Sequence, residues 1–155
     1  MAQLLFDGEL FADYFQIYLR DENYPDLPND YSAAAIATRM MVGPHSIILH
    51  TPRNMKTPIR VEWSDAPPVA DFAAWQHVVD SHFDCPTGRL VLAGMTDYEP
   101  KAARLTVKAG PLGVRANFAG LDTISKDGLE GDDHCLVQLW PGGTTPGANV
   151  LKLWR

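Results

Sequence analysis

The 155 residues suit a single domain over residues 1–155, ending in a Pro/Gly-rich tail over 141–155; a fold of this size buries roughly 68–70% of the surface its unfolded chain exposes, so no disulfide or metal is needed to hold it. With 46% hydrophobic and 21% charged residues the composition is that of a soluble globular chain, and no segment is apolar for long enough to span a bilayer as a helix. A net charge of −6, from 13 basic and 19 acidic side chains, opposes direct nucleic-acid binding and suits a basic protein partner.

The first pattern is a period of two. Phe11, Phe15, Ile17 and Leu19 alternate with Tyr14, Gln16, Tyr18 and Arg20, which predicts a first strand with Asp13 as an intruder. Residues 21–29, with two prolines, form a loop. Asn29 or Asp30 then caps a short helix through Tyr31, the alanine run, Ile36 and Met40, stopped near Gly43-Pro44. Ile47, Ile48 and Leu49 are consecutive apolar residues, as in a strand covered on both faces. Beyond the turn at 52–56, Thr57, Ile59, Val61 and Trp63 alternate with Pro58, Arg60 and Glu62, so the two strands are expected to form a hairpin.

Residues 69–83 fit both helical and strand spacing. The expectation is a short turn or helix near 65–74, then two strands joined at Pro86-Thr87-Gly88 as another hairpin. Leu105 and Val107, then Val114, Ala116 and Phe118, flank Gly110 and predict a further hairpin with one face in the core and the other basic. Cys135, Val137 and Leu139 mark an eighth strand, and residues 150–154 could add an edge strand. About eight short strands and one short helix imply an all-β, antiparallel β-sandwich, with a small β-barrel as the alternative. The expected core is Phe15, Ile17, Ile59, Val61, Leu105, Val107, Val114, Phe118, Val137 and Leu139.

Few patterns suggest chemistry. His45 and His50, like His77 and His82, are an odd number of residues apart, so along a strand their rings face opposite ways and do not converge on a metal. Cys85 and Cys135 are read as reduced thiols, and neither has a helix N-terminus beside it to make it a nucleophile. There is no Gly-x-Ser-x-Gly elbow and no glycine-rich phosphate loop. The N-terminus has no basic region before an apolar run, so a cytoplasmic location is expected.

The expectation is therefore a non-enzymatic domain without a cofactor, binding a protein partner through its acidic loops. Tyr14 and Tyr18 are the aromatic contacts expected on the polar face of the first strand, with Asp21 and Glu22 beyond it and Asp127, Glu130, Asp132 and Asp133 in the late loop. The alternative is a calcium or small-ligand site built from Asp127, Glu130, Asp132 and Asp133, because clustered carboxylates can wrap a hard cation; their spacing is not that of an EF-hand.

Phe15-Gln16-Ile17-Tyr18, Ala33-Ala34-Ala35, the Arg53-Asn54 turn, the Gly110 turn and Leu136-Val137-Gln138-Leu139 occur in that order across most of the chain. In this layout the chain resembles the competence protein J family, β-rich bacterial inhibitors of a DNA-entry nuclease. The resemblance implies a sandwich and an inhibitor function. The runs 75–79 and 128–134 have no assigned counterpart there, and no functional residue is carried over.

Overall fold

The computed structural model describes residues 2–155. In chain order the elements are β1 (Gln3–Phe11), β2 (Gln16–Asp21), α1 (Ala33–Ala37), β3 (Met40–Val42), β4 (Ser46–His50), β5 (Lys56–Trp63), β6 (His77–Cys85), β7 (Arg89–Gly94), β8 (Ala103–Thr106), β9 (Gly110–Ala119), β10 (His134–Pro141) and β11 (Asn149–Lys152). A six-stranded sheet runs β1-β5-β10-β9-β6-β11 and a five-stranded sheet runs β3-β4-β2-β7-β8. All pairings are antiparallel except β5 with β10. Each sheet keeps two edges, so the fold is the sandwich and not the barrel.

Alternation supplies the core. Ile17 and Leu19 of β2, Ile47 and Leu49 of β4, and Leu90 and Leu92 of β7 meet Ile59, Val61, Val79, Val114, Phe118, Val137 and Leu139 of the other sheet. Leu105 joins them, but Val107 is only partly buried and Phe15 is 38% exposed. Phe15 leaves the core because the expected first strand is two strands. Asp13 marks the break: its Oδ1 accepts from the Tyr14 N–H at 3.1 Å, and the chain turns from β1 in one sheet to β2 in the other through a short 3-10 turn.

The three expected hairpins are corrected in the same way. In β4/β5, β6/β7 and β8/β9, the first and second strands lie in different sheets. A period of two states which residues face inward, and that pattern is identical whether the next strand pairs alongside or crosses to the facing layer. The helix is also shorter than expected. Ser32 Oγ accepts from the Ala35 N–H at 3.2 Å to cap it, the Thr38 hydroxyl donates to Ala35 O at 2.6 Å near its end, and Arg39 then turns to φ 61°.

Both sheets are covered on their outer faces. Over the five-stranded sheet, Tyr18, Met41, Ile48, Val91 and Ala93 form a second apolar cluster with Leu27, Met95 and Ala102, which explains why every residue of β2 and β4 is buried. Over the six-stranded sheet lies the segment 64–76, which is neither helix nor strand; the strand begins only at His77. Arg115 holds this segment through a 2.6 Å bond to Pro68 O, while its guanidinium grips both oxygens of Asp80 at 2.7 and 3.0 Å and lies 5.6 Å from the Trp140 ring. The expected basic face is thus absent at Arg115, which is buried in an ion pair. In the tail, β11 forms the anticipated edge strand, paired with β6.

Candidate functional site

The ends of β1, β4 and β9 and the starts of β2, β3, β6 and β10 come together at one end of the sandwich. They surround a cavity of about 510 Å³. Among the described residues, the three non-glycine positions with left-handed backbone are Tyr14, Phe15 and Arg39, at φ 57°, 60° and 61°, and all three line it. Each such position costs on the order of 1–3 kcal/mol and persists only where its surroundings impose it; such strain clusters at functional sites. Here it turns aromatic side chains outward: Tyr14 is 68% exposed and Phe15 38%, and Tyr31, which lines the same cavity, is half-exposed.

The acidic loop lies against this rim. The Asn54 N–H donates to Gly128 O at 2.9 Å, and Gly128 sits so close to the Phe15 ring that a side chain there would press on it. Asp127 Oδ1 accepts from Ser125 Oγ at 2.6 Å and the Leu129 N–H at 3.1 Å, bonds that hold its carboxyl below the ordinary range. The Asp132 N–H donates to Thr123 Oγ1 at 2.8 Å, leaving the Asp132 and Glu130 side chains exposed. Asp133 differs: it is buried and paired with Arg53. Its other oxygen, Oδ2, is buried without a hydrogen-bond partner. Among the described residues no group of three His, Cys, Asp or Glu side chains is placed to hold a metal ion.

The remaining expected contacts lie elsewhere. Tyr18 is not on the surface: its hydroxyl donates to Glu99 Oε2 at 2.5 Å, and burial, then that bond, raise its pKa. Glu99 also pairs with Arg20. Asp21 ends β2 and Glu22 follows it, at the end of the strand away from the acidic loop. Burial pushes the Asp21 carboxyl up, but bonds from the Thr87 N–H, the Asn23 N–H and the Thr87 hydroxyl outweigh it and hold the pKa below the usual value. Glu22 sits between Arg89 and Arg104 at 3.7 and 3.6 Å. Tyr14 and the acidic loop therefore share one surface, and Tyr18, Asp21 and Glu22 are separate from it.

Two cavity residues lie outside the expected contact set. Arg39 enters from the turn before β3, with its guanidinium 5.9 Å from the Phe118 ring and its Nη1 donating to His50 O at 3.3 Å; burial lowers its pKa. It makes no ion pair among the described residues, and the nearby Asp133 is paired with Arg53. His50, at the end of β4, is 6% exposed and its Nε2 has no partner; burial first, and Arg39 second, lower its pKa. A buried orphan of this kind costs about 1–3 kcal/mol. Nearby, His77 Nδ1 accepts from the Trp154 N–H at 3.1 Å, so its Nε2 carries the proton and donates to Thr38 O at 2.9 Å, which docks the C-terminal segment beside the cavity. The cysteines lie in the core, where burial, and then Asp21, push the Cys85 thiol up to about 12 and burial raises that of Cys135.

No family model matches this chain, and no curated protein does. The solved structures do. ComJ from Bacillus subtilis, described as an inhibitor of the DNA degrading activity of NucA, superposes with a TM-score of 0.68 at 15% identity, over 90% of this chain and 98% of its own. This chain has the same fold as ComJ. The protein described as crocagin biosynthetic gene J matches with a TM-score of 0.62 at 16% identity, over 91% of this chain and 98% of its own. The layout that resembled the competence protein J family thus corresponds to a shared architecture. Among the described residues, no helix is long and apolar enough to cross a membrane.

Proposed function

We propose that this chain is a non-enzymatic, inhibitor-type domain that binds a basic protein partner with the cavity end of its sandwich. The observation that carries the reading is the exposed, strained Tyr14-Phe15 turn set against the carboxylate loop at 127–132. Exposed aromatic anchors supply the desolvated centre of an interface, and a rim of like charge steers an oppositely charged partner. Met55 and Leu129, 38% and 37% exposed, extend the apolar part of the same end. The ComJ likeness agrees with this reading, since that protein is described as inhibiting a DNA-degrading enzyme, and an enzyme that handles DNA presents cationic surface to phosphate.

The test is capture and kinetics. A partner retained from the source cell by the wild-type chain should associate more slowly as salt rises. Tyr14→Ala, which removes a hot-spot candidate without touching the core, should weaken binding by about 30-fold, the equivalent of a 2 kcal/mol anchor. Glu130→Gln with Asp132→Asn should lower the on-rate. Unchanged affinity in Tyr14→Ala together with a salt-independent on-rate would remove this end as the binding surface.

A further inference from the structure

We propose that the cavity beneath Tyr14 and Tyr31 is a binding site for a small aromatic monocarboxylate, separate in its chemistry from the recognition of a protein partner. The size is right for one: small-molecule sites occupy roughly 300–1,000 Å³ and are mostly apolar with a few polar groups, and this cavity has about 510 Å³. Its walls are Tyr14, Phe15, Tyr31 and Trp154, with Ile36 and Leu121. A planar ring is the body such walls accommodate, by stacked or edge-on contact.

The polar groups select the head. Arg39 lines the cavity with a guanidinium that makes no ion pair among the described residues, and its planar fork matches the two oxygens of a carboxylate. His50 also lines the cavity and is more than nine-tenths buried; its Nε2 is shielded and has no partner, so a turn of the ring, in the Nε2–H tautomer, is what offers a carboxylate oxygen a second donor. One guanidinium outside any ion pair among the described residues matches one carboxylate. A phosphate, with up to two charges and no apolar body, would leave the aromatic walls unused and its own second charge unpaired. Asp133, the carboxylate whose charge reaches Arg39, is engaged by Arg53 and does not fill this role.

The test uses phenylacetate as the probe, with phenylacetamide as the uncharged analogue and acetate as the head without the ring. In isothermal titration of the full chain, phenylacetate should bind saturably and at least ten-fold more tightly than either control. In nitrogen-proton correlation spectra the shifts should centre on Tyr31, His50 and the Trp154 indole. Arg39→Asn, whose side chain tolerates the left-handed backbone, should reduce phenylacetate affinity at least ten-fold and bring it level with phenylacetamide. Should that variant not fold, Tyr31→Ala, a change at a half-exposed position, should weaken phenylacetate and phenylacetamide alike. Absence of saturable phenylacetate binding, equal affinity for acid and amide in the wild type, or shifts centred away from the cavity would each overturn the proposal. None of these results depends on a protein partner, so the ligand site can fail while the interface stands, and the reverse.

Discussion

Replacing Arg115 with leucine should be among the most damaging single changes in the six-stranded sheet. Arg115 on β9 and Asp80 on β6 lie opposite one another in register, with side chains only 8% and 12% exposed. Removing the guanidinium deletes two bonds to the Asp80 carboxylate and one to Pro68 O, and leaves a buried negative charge with no counter-ion. Breaking a buried pair from one side costs about 3–5 kcal/mol. The double variant Arg115→Leu with Asp80→Leu leaves no orphan charge and forfeits chiefly the Pro68 bond, on the order of 1 kcal/mol. Each single variant leaves one charge of the pair buried and alone, so urea unfolding of the two singles and the double should give a coupling of roughly 5–9 kcal/mol. Hydrogen exchange over 66–74 should accelerate in Arg115→Leu, because that strap loses its tether. If Arg115→Leu costs less than about 1 kcal/mol, or the two single losses simply add, the pair does not hold the sheet in the way described.

Acid should weaken the fold through two buried histidines. His50 and His77 both have pKa values lowered chiefly by burial, so the stability held by their neutral forms is complete above the unfolded value of about 6.5 and is lost as pH falls toward the depressed folded values, at up to about 1.4 kcal/mol per pH unit for each ring. Urea midpoints at pH 7.5 and 5.0 should show the drop, and His77→Gln should remove about one proton's share; equal stability at the two pH values would refute it. Gly94→Ala should lower the melting temperature through a loss of about 1–3 kcal/mol, since a Cβ at the end of β7 would collide with the Phe11 carbonyl where the two sheets approach; an unchanged melt would mean the sheets part there without cost.

What could be read without coordinates divides along a physical line. Inward-facing positions such as Ile17, Ile59, Val114 and Val137 are legible because alternation records which side of a strand meets the core. Pairing partners are not, since Thr57–Trp63 alternates identically beside β4 or across from it. Asp13 within an apolar run is a readable sign of a break, and the break is what takes Phe15 out of the core. Of the candidate site, part was legible. Tyr14 and the carboxylates at 127–132 announce themselves by exposure and charge, whereas Arg39 and His50, a single basic residue after a helix and a histidine ending an apolar strand, acquire their chemistry only when β3, β4 and β10 converge. Tyr18 was not legible because alternation shows a polar face on one strand without showing what covers it, and the chain folds residues 95–102 over that face.

The order of strands in the larger sheet has a consequence for how the chain reaches its fold. Of the nine pairings, only β3–β4, β7–β8 and β9–β10 join neighbours in sequence. Sheets closed by such distant segments fold in milliseconds to seconds, because loop entropy must be lost before the contacts that offset it form. β10 sits between β5 and β9, so on a growing polypeptide both remain open apolar edges until residues 134–141 have emerged. During synthesis the unfinished sheet is the species most exposed to mispairing with another chain, and placing the bridging strand so late makes assembly of the larger sheet close to all-or-none.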